Sequence, residues 1–138
     1  MDSKKNILVV DDDPDVATII KGILVGDEYD VRSVYSGQQV FTELREQRPD
    51  LIILDVKMPE MDGLEVLKRL KTAPDTSSIP VILLTGKGQY RDVLEGYHLG
   101  TDYYISKPFT STQLINGIHL FLGEGDSQKG ISESIAYR

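Results

Sequence analysis

The chain has 138 residues, 40% hydrophobic and 27% charged, which suits one soluble globular domain with a single core. No apolar run approaches the roughly 20 residues of a membrane span, and Lys4-Lys5 leads into too few apolar residues for a signal-peptide core of about 7 to 15. A net charge of -7 argues against non-specific nucleic-acid binding by this domain, and the absence of cysteine excludes disulfides and thiolate metal sites and fits a cytoplasmic protein.

Along the chain, apolar runs of strand length alternate with stretches of helical period, the pattern of a parallel sheet with crossover helices. The first strand is predicted over Asn6 to Val10. The first helix starts at Pro14, a favourable first helical residue, and carries Val16, Ile19, Ile20, Ile23 and Leu24 on one stripe until Gly26 stops it. A second strand, Asp30 to Val34, partly alternates and reads as an edge. The second helix begins near Ser36 and ends before Pro49, with Val40, Phe41 and Leu44 inward. Leu51 to Leu54 forms the third strand, and a helix from Gly63 to Thr72 buries Leu64, Leu67 and Leu70. After the loop from Ala73 to Ser78 comes a fourth strand, Val81 to Leu84. Gly86 and Gly88 precede the fourth helix, Tyr90 to Leu99. The short, tyrosine-rich fifth strand, Tyr103 to Ile105, is the other edge. Strands 1, 3 and 4 are continuous apolar runs, as expected of strands buried on both faces. Thr110 and Gln113 form a capping box for the last helix, whose apolar face is Leu114, Ile118, Phe121 and Leu122. Residues 123–138 lack the apolar density to join the core and read as a tail or the start of a linker.

Four of these runs end in residues suited to phosphate or metal chemistry. Asp11-Asp12-Asp13 follows the first, Asp55 the third, Thr85 the fourth, and Lys107-Pro108 the fifth. Parallel strands bring their carboxyl ends side by side, so the acids, hydroxyl and ammonium converge in one crevice at the place where open α/β sheets hold ligands. Such a pocket suits a divalent cation beside a phosphoryl group.

These elements, together with the run from Asp55 to Gly63, Thr85-Gly86, and Tyr104-Ile105-Ser106-Lys107-Pro108-Phe109, resemble the receiver domain of two-component response regulators, chemotaxis receivers included. The resemblance covers essentially Lys5 to Leu122. It implies a flavodoxin-like (βα)5 fold, a doubly wound parallel sheet in the order 2-1-3-4-5, with residues 1–122 as the receiver. It implies that Asp55 takes a phosphoryl group from a histidine kinase or phosphotransfer protein, becoming an aspartyl phosphate that the domain itself later hydrolyses, without being a conventional enzyme. Mg2+ or Mn2+ is the implied cofactor, bound directly by Asp12, Asp55 and the backbone carbonyl of Lys57, with Asp11 acting through water. The resemblance also implies that Thr85 and Lys107 contact the phosphoryl group, and that Thr85 and Tyr104 then switch the face of helix 4, strand 5 and helix 5, where a downstream protein or a fused output domain would dock.

Plainer readings weigh against single residues rather than against the set. Asp13 is expected to cap the first helix. Lys57 and Lys87 lie two residues past Asp55 and Thr85, where the resemblance implies an influence on phosphoryl lifetime, although loop lysines are commonly just solvated. Tyr90, Tyr97, Tyr103 and Tyr104 suit a docking surface. His98 and His119 are read as structural. A calcium loop starting at Asp11 fails because Val16 and Gly22 stand where Gly and Glu are needed. A flavin phosphate is disfavoured by aspartates in the first loop. The competing function is a small aspartyl-phosphate phosphatase of haloacid dehalogenase type using Asp11 and Asp13, against which stand Asp15 and the lack of a cap domain.

Overall fold

The computed structural model describes residues 4–24, 29–86 and 89–123. Its order is β1 (Lys5–Val10), α1 (Pro14–Ile23), β2 (Tyr29–Val34), α2 (Gly37–Glu46), β3 (Leu51–Asp55), α3 (Gly63–Thr72), β4 (Val81–Thr85), α4 (Tyr90–Leu99), β5 (Tyr103–Ser106) and α5 (Ser111–Leu122). The strands form one parallel sheet in the order β2-β1-β3-β4-β5, the expected flavodoxin-like arrangement with β2 and β5 at the edges.

Every strand runs one residue beyond its expected bounds. For β3 and β4 the added residue is the polar one: Asp55 and Thr85 are themselves the last residues of their strands. The ladder continues there, since Asp55 pairs with Leu84 and Thr85 with Ser106. Backbone pairing therefore fixes both residues before any side-chain contact is made.

Alternating side chains of the buried strands feed two cores. On one face Leu8, Val10, Ile52, Leu54, Val81 and Leu83 pack with Val40, Val66, Leu67 and Leu70 from α2 and α3. On the other, Ile7, Val9, Ile53, Ile82 and Leu84 pack with Ala17 and Ile20 of α1 and Leu114 and Ile118 of α5. The expected α1 stripe needs one correction: Ile19 is 54% exposed, and Ala17 takes the inward position beside Ile20 and Leu24. Gly26, Lys87, Gly88 and residues 124–138 lie outside the described residues.

Side-chain caps start four helices. Asp13 accepts from the Asp15 amide at α1, Ser36 from Gln39 at α2 and Asp62 from Glu65 at α3, and Thr110 with Gln113 completes the capping box of α5. At α4 the cap position is Gln89, whose side chain makes no capping bond.

Candidate functional site

The sheet register assembles the site. Val10 pairs with Leu54, so the residues that follow them, Asp11 and Asp55, emerge side by side at the carboxyl edge. Asp11, Asp55 and Thr85 are buried polar residues, whereas Asp12 is exposed at the rim. Carboxylate oxygens of Asp11, Asp12 and Asp55 lie within 4.8 Å of one another.

From the far edge of the sheet, Lys107 reaches into this cluster. Its Nζ donates to Asp11 Oδ2 at 2.9 Å and stands 3.0 Å from Asp55 Oδ1. Its backbone amide donates to the Thr85 carbonyl at 2.6 Å, which ties the β5–α5 turn to the end of β4. Asp11 Oδ1 accepts from the Asp13 amide at 2.9 Å, so both oxygens of Asp11 are engaged.

Burial pushes the Asp55 carboxyl up to about 6. The Lys107 bond works against that rise, and the nearby Asp11 and Asp12 charges add to it. For Lys107 burial opposes the charge, but the bonds to Asp11 and Asp55 outweigh it and hold the ammonium above its ordinary value. The crevice thus holds more negative charge than one lysine offsets, and its oxygen donors suit a hard divalent cation.

The segment after Asp55 folds back tightly. Glu60 turns it with φ 66°, and the Gly63 amide donates to the Val56 carbonyl at 2.7 Å. A Cβ at Gly63 would lie 2.1 Å from the Asp55 carbonyl oxygen, so only glycine fits against the end of β3. Within this segment the Lys57 side chain is 69% exposed, with Nζ 3.6 Å from Asp92 Oδ2 in the first turn of α4. That pair had no signal in the sequence, because its partners meet only through tertiary structure.

Tyr104 faces outward, 37% exposed, with its ring edge-on to Tyr97 at 6.1 Å between centroids and 86° between planes. Behind it, Thr85, Gly86, Gln89, Tyr90, Val93, Tyr104 and Ser106 line a cavity of about 250 Å³. Tyr90, Tyr97 and Tyr103 are exposed as well. Sequence reasoning brought Asp11, Asp12, Asp55, Thr85 and Lys107 to one place; the acids and Lys107 are together here, and Thr85 adjoins them through its carbonyl's bond to the Lys107 amide. That reasoning passed over Gln89.

The family model of the response regulator receiver domain matches residues 7–119. The chain belongs to that family. It is 36% identical over 133 residues to the DNA-binding response regulator MtrA of Mycobacterium tuberculosis, covering 96% of this chain and 57% of that protein. Phosphate regulon transcriptional regulatory protein PhoB of Pseudomonas aeruginosa is 35% identical over 130 residues, 92% of this chain and 57% of its own length. The receiver domain therefore spans a little over half the length of the curated relatives it matches. Among solved structures, the receiver domain of the sensor histidine kinase PA1611 of Pseudomonas aeruginosa is similar, with a TM-score of 0.79 and 27% identity over 88% of this chain and 100% of that one. That structure is described with a magnesium ion coordinated in the active site cleft.

The chain is thus a receiver domain of two-component signalling systems and not a member of a conventional enzyme family, which sets aside the phosphatase alternative. Among the described residues, no helix is long and apolar enough to cross a membrane.

Proposed function

We propose that this receiver is a phosphorylation-switched binding module with Asp55 as the phosphoacceptor. The observation that carries the reading is the convergence of Asp11, Asp12 and Lys107 on a buried carboxylate at the end of β3. An Asp55 oxygen attacks phosphorus, the O–P bond forms as the N–P bond of a donor phosphohistidine breaks, and the departing imidazole takes a proton from solvent. So activated a donor needs no general base.

Asp11, Asp12 and Asp55, with the backbone carbonyl of Lys57, would hold Mg2+ or Mn2+, Asp11 acting through water. Bound there, the cation would neutralise the carboxylates and the developing charge on the phosphoryl oxygens. Lys107 shifts its point charge from Asp55 to a phosphoryl oxygen, while Thr85 donates its hydroxyl. The adduct brings about -1.5 to -2 charges, enough to bias a two-state element. Tyr104 then turns from Tyr97 into the cavity behind Thr85, changing the surface of α4, β5 and α5. Slow hydrolysis at Asp55 resets the domain.

The donor is a sensor histidine kinase or a phosphotransfer protein in the cytoplasm. The tyrosine-rich face receives a downstream protein or a fused output domain. Residues 1–122 act as the receiver and residues 123–138 as a tail or the start of a linker. DNA contact, as the names of the relatives suggest for the whole protein, belongs outside this acidic domain.

Intact mass after incubation with magnesium and a small acyl phosphate tests the reading. Wild type should gain one alkali-labile phosphoryl group and Asp55→Asn none. An adduct that survives loss of Asp55 would overturn it.

A further inference from the structure

Gln89 is a polar side chain of the switch cavity that the mechanism has not used. Among the described helices, α4 alone starts without a side-chain cap, although its cap residue carries a carboxamide. That group is spent elsewhere: Gln89 Oε1 accepts from the backbone amide of Gly86, the residue that follows Thr85. The Gln89 amide donates in return to the Gly86 carbonyl at 3.3 Å.

The fit between the two residues is close. A Cβ at Gly86 would lie 3.2 Å from Gln89 Oε1 and 3.6 Å from its Cδ, so the carboxamide oxygen would have to give by a few tenths of an ångström to a larger residue 86. Both residues also line the cavity of about 250 Å³ between Thr85 and Tyr104, the volume of several waters at about 30 Å³ each. Glutamine is a poor helix cap, so its bond to Gly86 forgoes little at α4. The Gly86 amide is partly buried, so losing its acceptor forfeits a hydrogen bond that water replaces only in part, which makes it a point where the end of β4 is held.

We propose that Gln89 is a positioning residue for the switch: its carboxamide oxygen holds the Gly86 amide, and with it the Thr85 end of β4, in the resting arrangement with the cavity open. Movement of Thr85 toward a phosphoryl group then requires this bond to break. Gln89 sets how readily the domain answers occupancy of the site, and it does so without touching the phosphoryl group. This rests on the reading of Asp55 as the phosphoacceptor.

The test uses the full chain labelled with 15N. Two quantities are measured: hydrogen exchange of the residue 86 amide in the resting protein, and the beryllofluoride concentration, with magnesium, that half-saturates the shifts at Thr85 and Tyr104. Gln89→Ala should speed the exchange and lower the half-saturating concentration about threefold to tenfold, the range of one ordinary net hydrogen bond. Gly86→Ala should move both in the same direction and by less, because its methyl would press on the carboxamide at 3.2 Å and loosen the bond. Gln89→Glu, which keeps the acceptor oxygen, should restore protection and bring the half-saturating concentration back to at least the wild-type value. Unchanged exchange in Gln89→Ala overturns the proposal, as does lost protection with unchanged half-saturation while the wild type responds. A wild type that shows no shift with beryllofluoride overturns the phosphoacceptor reading itself, and the role of Gln89 with it.

Discussion

Lys107 and Asp55 meet across the sheet at 3.0 Å, with the same ammonium 2.9 Å from Asp11. One cation therefore separates two buried carboxylates. Lys107→Ala would leave them facing each other, and removing one partner of a buried pair costs up to about 3 to 5 kcal/mol. Lys107 keeps some solvent access, so a loss of about 2 kcal/mol is expected in urea denaturation at pH 7.5 with chelator. Magnesium should restore much of it and bind more tightly than to wild type, since it no longer competes with the lysine. A variant of wild-type stability and weaker magnesium binding would contradict this.

Asp55 gives a pH dependence of defined sign. Its carboxyl is raised from 3.8 to about 6, so the folded state favours the protonated form. The associated stability is fully present below pH 3.8 and is lost as pH rises through about 6. A rise of about two pH units corresponds to about 3 kcal/mol as an upper bound. Asp55→Asn should accordingly stabilise the protein in chelator above pH 7 by up to that amount, with the gain shrinking toward zero near pH 4. Denaturation curves for both proteins across this range check it.

The same carboxyl links metal binding to protons. A cation held by Asp55 needs the ionised form, so below about pH 6 its binding must release a proton. Magnesium affinity is expected to fall about tenfold for each pH unit below that value. Calorimetry in buffers of different ionisation enthalpy should detect about one proton released per metal at pH 5 and almost none at pH 8. On the proposed ligand set, Asp12→Ala should weaken binding at least about tenfold at either pH, because one carboxylate of the cluster is lost.

Lys57 is the lysine near the site that the structure ties to α4, through Asp92 at 3.6 Å. An exposed pair of this kind contributes about 0 to 1 kcal/mol, so Lys57→Ala should leave stability nearly unchanged. The rate at which the phosphoryl group is lost is expected to change in Lys57→Ala or in Lys87→Ala, read by the decay of the intact-mass adduct. Wild-type decay in both would remove the rate-tuning role.

Much of this was legible in the sequence because strand ends and helix caps are local. The continuous apolar runs marked the central strands, and Asp13, Thr110 and Gln113 stand at the helix starts where their side chains indicated. Ile19 was misplaced because an amphipathic stripe read from hydrophobicity alone has no fixed width. The sheet accepts Ala17, Ile20 and Leu24, and the larger Ile19 faces outward. Convergence of Lys107 with the acids followed from topology, but the double contact to Asp11 and Asp55 did not, since it depends on the path of the turn after β5. The Lys57 contact rests on a three-dimensional neighbour that no periodicity encodes, and the Gln89 bond, though it spans only three residues, has a residue type at the cap that carries no capping signal.

The glycine beneath the Asp55 carbonyl gives the segment from Asp55 to Gly63 the character of a closed ring. Its two ends touch: Gly63 bonds to Val56, and any side chain at position 63 would strike the Asp55 backbone. A ring of fixed circumference cannot gain or lose a residue without moving the carboxylate that closes it. The loop from Ala73 to Ser78 lies at the opposite rim, where a change in length would leave Asp55 in place. Asp55, Val56, Met58 and Gly63 of the first segment are buried and none of residues 73–78 is, so the first is held to its length while the second is a site where foreign sequence can be grafted.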